Sequence, residues 1–86
     1  MLENILKEIM AMEMGETNTF KITDNRFLFV ENWSWRDDNF TSLELDYGKE
    51  TEDGYVFNEI LETATYDFGN EEDIKNGINY MIACCK

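Results

Sequence analysis

The chain has 86 residues; 43% of them are hydrophobic and 14% aromatic, enough for one small core and too apolar for a disordered acidic tail. Nineteen Asp and Glu against seven Lys and Arg give a net charge of −12, which excludes direct binding to nucleic acid or to an anionic membrane, because phosphate recognition needs a basic footprint. There is no histidine, so the usual catalytic triads and histidine-containing zinc sites are excluded as well.

In chain order, Leu2, Ile5, Leu6, Ile9 and Met10 fall on one side at helical spacing, with Glu3, Lys7 and Glu8 facing away. This predicts an amphipathic helix that ends between Met12 and Gly15. The same segment carries acids where a signal peptide would be basic, and no window approaches the roughly 18 apolar residues of a membrane span. The expected setting is cytoplasmic.

Phe20 and Ile22 alternate with Thr19, Lys21 and Thr23, and Asp24 and Asn25 suit a tight turn before a second strand-forming run. A two-residue turn pairs Thr23 with Arg26, which predicts Ile22 opposite Phe27 and Phe20 opposite Phe29. Trp33 and Trp35 continue that aromatic face, which is read as the core in preference to the alternative, an exposed anchor for a partner. Leu28, Val30, Asn32 and Ser34 then form an outer face suited to partial exposure, to a partner or to self-assembly.

After the polar break Arg36–Asn39, Leu43, Leu45 and Tyr47 alternate with Ser42, Glu44 and Asp46. For those leucines to join the tryptophan face, Trp33 must lie opposite Leu43, through an odd-length loop or a bulge near Phe40. GKETEDG, residues 48–54, reads as a solvated loop. Tyr55 to Phe57 restarts a strand, and residues 58–68 favour strand with a bulge over helix. Asn70 is a helix N-cap followed by Glu71, Glu72 and Asp73. Ile74, Ile78, Met81, Ile82 and Cys85 form an apolar stripe, and Lys86 suits the helix C-terminal end. The fold class is α+β: an antiparallel three- or four-stranded meander with N- and C-terminal helices on one face, in a single domain spanning residues 1–86.

The adjacent Cys84 and Cys85 bridge poorly and read as reduced thiols, with Cys85 a small buried hydrophobe. A prenylation signal is not met, because Lys86 follows Cys85 directly. A calcium loop fails too: with Gly54 at its sixth position, Lys49, Thr51 and Ile60 stand where ligands are needed. No cofactor and no catalytic residue is expected. Two carboxylates hydrolyse a glycoside only in a deep cleft, for which a chain this short has little room.

What remains is acidity beyond the net charge of magnitude roughly 2–8 that solubility asks for. The candidate partner-binding acids are Asp37, Asp38, Glu44, Asp46, Glu50, Glu52 and Asp53, facing a basic protein, with the chain itself a monomer or a small homo-oligomer. The Glu71–Asp73 cluster is explained by helix capping.

In size, charge and element order the chain resembles the small phage-encoded anti-CRISPR proteins and other DNA mimics. The resemblance carries over no individual residue. It implies that an acidic face, inside a bacterial host cell, blocks the nucleic-acid site of a CRISPR-Cas or restriction nuclease. An immunity or antitoxin protein neutralising a basic toxin would use the same acids, and a homo-oligomeric accessory protein would be acidic for solubility alone.

Overall fold

A computed structural model describes residues 1–85; Lys86, expected at the helix end, lies outside the described residues. The elements are α1 (Leu2–Ala11), β1 (Thr17–Thr23), β2 (Arg26–Trp35), β3 (Asp38–Thr51), β4 (Gly54–Asp67) and α2 (Glu71–Ala83). The four strands form one antiparallel sheet in the order β1-β2-β3-β4, with both helices on one face. The α+β meander read from the sequence is therefore the observed fold, in its four-stranded form.

Residues 58–68 are strand, as propensity suggests, and β4 carries two bulges where its pairing with β3 shifts. The Asn70 side chain accepts from the Asp73 amide at 3.2 Å and caps α2. The expected loop at residues 48–54 is narrower than predicted. Strand β3 runs through Thr51, and only Glu52 and Asp53 turn, with Gly54 taking a positive φ of 129° that L side chains rarely adopt.

The core joins Ile5 and Ile9 of α1, Ile74, Ile78 and Met81 of α2, and Leu28, Val30, Leu43 and Leu45 of the sheet. This overturns the predicted faces. The Asp24–Asn25 turn does pair Thr23 with Arg26, but a bulge at Ile22 moves Lys21 opposite Phe27 and Phe20 opposite Leu28. The odd-length connection expected after the tryptophans is a two-residue turn, Arg36–Asp37, with Arg36 at φ 57°. Even parity sets Leu28 opposite Leu45, Val30 opposite Leu43 and Trp33 opposite Phe40. Leu28 and Val30 are thus buried under the helices and offer no surface for self-assembly, and Trp33 and Trp35 stand on the helix-free face.

Carboxylates explain the choice. Between the aromatic residues of the helix-free face stand Glu31, Glu44 and Asp46, which would all need partners if helices covered them. The opposite face buries Asn32 and Thr41 as its polar groups, and both are satisfied. Asn32 Nδ2 donates to the carbonyls of Ile9 (2.9 Å) and Met12 (3.3 Å), closing the end of α1, while its Oδ1 accepts from Thr41 Oγ1 at 2.8 Å.

Candidate functional site

Alternation along β2 and β3 places Phe29, Glu31, Trp33, Phe40, Ser42 and Glu44 side by side on the helix-free face. Trp33 stacks on Phe40 with ring centroids 4.6 Å apart, and its indole N–H donates to Ser42 Oγ at 2.7 Å. Trp35, at the end of this face, is 63% exposed.

At the other end the sheet curls. The distal β3–β4 hairpin, from Gly48 outward, is an arm that bends back over β2. Tyr55 of β4 stacks on Phe27 of β2 at 4.4 Å although β3 lies between their strands, and Lys21 of β1 reaches Glu50 of β3 at 3.1 Å. The bend needs Gly48: a Cβ there would come within 2.6 Å of the Val56 carbonyl oxygen and 3.0 Å of the Tyr55 ring. A cleft of about 380 Å³ lies between β1 and the arm, with Phe27 and Tyr55 among its lining residues.

Under the arm, Asp46 is 1% exposed. Its Oδ2 accepts from the Tyr55 hydroxyl at 2.8 Å, and its Oδ1 is buried without a partner. Two positions along the strand, the Glu44 carboxyl is pushed up to about 7 from an ordinary 4.5 by burial, then by its hydrogen bond to Asp46 and by the Asp46 charge. A proton on Glu44 is the donor available to this carboxyl pair. The Tyr55 hydroxyl is pushed up to about 12 by burial first and then by Asp46, against a hydrogen bond from Thr19 that lowers it. The chain has no histidine, and Glu44 supplies a side chain raised into the neutral range.

The seven acids singled out from the sequence do not form one patch. Asp37 and Asp38 are exposed in the β2–β3 turn and at the start of β3, and Glu50, Glu52 and Asp53 are exposed at the opposite end of the same strand. The molecule is 37 Å in its longest dimension. Glu44 and Asp46 do come together, but as a covered pair in which Asp46 is closed to direct contact by a partner. Sequence reasoning passed over Tyr55, which closes that pair, and the exposed Val56, Phe57, Ile60 and Leu61 beside it. The YVF run between acids was the available signal for them.

Among the described residues no group of three or more His, Cys, Asp or Glu side chains forms a metal site, and no helix is long and apolar enough to cross a membrane. Both cysteines are free; Cys84 is exposed, and half-buried Cys85 packs against the core with its thiol raised by burial. The chain matches no known family model, no curated protein and no solved structure.

Proposed function

We propose that the chain is an acidic protein-binding inhibitor that occupies the nucleic-acid site of a nuclease of the CRISPR-Cas or restriction type, without catalysing a reaction itself. The observation that carries this reading is the charge of the helix-free side. Asp38, Glu31, Asp67 and Glu50 are distributed along it, while its cations are already engaged: Lys21 by Glu50 at 3.1 Å, and Arg36 over the Trp35 ring at 5.9 Å. Duplex DNA over the chain's 37 Å length carries roughly 22 charges at one per ~1.7 Å, and a net charge of −12 is just over half of that. A basic groove built for phosphates is its complement.

The test is recovery from bacterial lysate on the tagged chain at low and moderate salt, with identification of what is retained. Salt-sensitive recovery of a nuclease that added DNA or RNA releases supports the reading, and retention of that nuclease in excess nucleic acid sinks it. A second reading, neutralisation of a basic toxin, is favoured by Trp35, whose exposed ring is the kind of anchor that fills a partner's pocket. It predicts recovery that depends on Trp35 and persists in nucleic acid.

A further inference from the structure

The arm carries apolar side chains that the fold leaves uncovered. Strand β4 is an edge of the sheet, and from Lys49 to Leu61 Tyr55 alone is partly buried. Val56, Phe57, Ile60 and Leu61 are 40–53% exposed. They lie on both sides of the strand: Phe57 pairs with Gly48 and Ile60 with Asp46 on the helix-free face, and Val56 pairs with Lys49 on the other. A surface docked on one face would miss either Val56 or both Phe57 and Ile60, whereas a strand added alongside meets side chains on both. Charge selects what is added. Glu50, Glu52, Asp53 and Glu59 stand on this stretch, with Glu62 just beyond it, against Lys49 alone.

A second copy of the chain fits poorly. Antiparallel self-pairing centred between Phe57 and Asn58 would set Asp53 against Glu62, on top of the repulsion between two chains of charge −12. The bulges at Asn58 and Leu61 bend the strand within this stretch, which discourages long, regular pairing of two rigid copies.

We propose that the outer edge of β4 between Gly54 and Leu61 receives an extended segment of a protein partner, apolar residues alternating with Lys or Arg, as a fifth strand. This rests on the reading of the chain as a binder of basic proteins and adds the segment it grips. The probes are two octapeptides of equal charge, one alternating Val with Lys and one alternating Ser with Lys, titrated at low salt and followed by backbone amide shifts and hydrogen exchange. The Val–Lys peptide is expected to bind roughly tenfold more tightly, to slow exchange between Gly54 and Leu61, and to weaken about tenfold in a Phe57→Ser/Ile60→Ser variant of unchanged amide dispersion. Equal binding of both peptides, with shifts confined to Glu50–Asp53, overturns the strand addition and leaves the acidic reading standing. Binding of neither overturns both. A concentration-dependent dimer abolished by the same double variant makes a second copy the occupant, and overturns the proposal.

Discussion

The Tyr55 hydroxyl donates to Asp46 Oδ2 at 2.8 Å, joining the distal part of β4 to the middle of β3 beneath the curled arm. That bond is the one Asp46 accepts from beyond its Glu44 neighbour, and its Oδ1 is buried without a partner. Tyr55→Phe keeps the ring over Phe27 and removes the donor. It should destabilise the chain by about 1–3 kcal/mol in denaturant unfolding, with an unchanged slope, because the fold survives with Asp46 less well satisfied. A shift below a few tenths of a kcal/mol would mean that the hydroxyl does not hold the arm.

Glu44 makes stability depend on pH. Its carboxyl is raised from 4.5 to about 7, so between those values the folded chain holds a proton that the unfolded chain has lost. Stability from this group therefore falls as pH rises through that window. Glu44→Gln removes the titration and retains a donor beside Asp46. The variant should be more stable than the native chain above pH 7, with the advantage shrinking toward pH 4.5. The other carboxylates are common to both chains, so the difference between them isolates Glu44, and a difference that stays constant over this range contradicts the assignment.

Asn32 ties three elements together: it receives Thr41 from β3 and closes the last carbonyls of α1 from β2. Asn32→Ala takes the buried acceptor from Thr41 and the side-chain donor from the Ile9 and Met12 carbonyls, of which Ile9 keeps only the Met12 amide. A loss of about 2 kcal/mol, or a melting midpoint lower by roughly 10 °C, is expected. Helix α1 should show the larger gain in hydrogen exchange, since α2 has its own Asn70 cap.

Element order was legible because each element carries a local signal: helical stripes in Leu2–Met10 and Ile74–Met81, the Asp24–Asn25 turn, and the Asn70 cap. The choice of buried face was not. It depends on the parity of two connections, the bulge at Ile22 and the Arg36–Asp37 turn, and one residue of slip exchanges the faces of a strand. Counting large aromatics pointed to the Trp33 side as core; counting the carboxylates between them would have pointed the other way. Among the candidate acids, exposure of the tip and turn residues followed from their polar surroundings. The burial of Asp46 did not, because it arises when Gly48 lets the arm fold Tyr55 over it, a contact between segments that no local pattern encodes.

The measurement that bears most directly on the acidic-inhibitor reading is the association rate of the recovered nuclease with the native chain and with a Glu50→Lys/Glu52→Lys/Asp53→Lys variant, over a range of salt. The native chain should associate more slowly as salt rises, and the variant should associate roughly tenfold more slowly at low salt with a flatter salt dependence, while keeping the native unfolding midpoint. Equal rates and equal salt dependence for the two folded chains would contradict the claim that the acidic arm guides this protein to its partner.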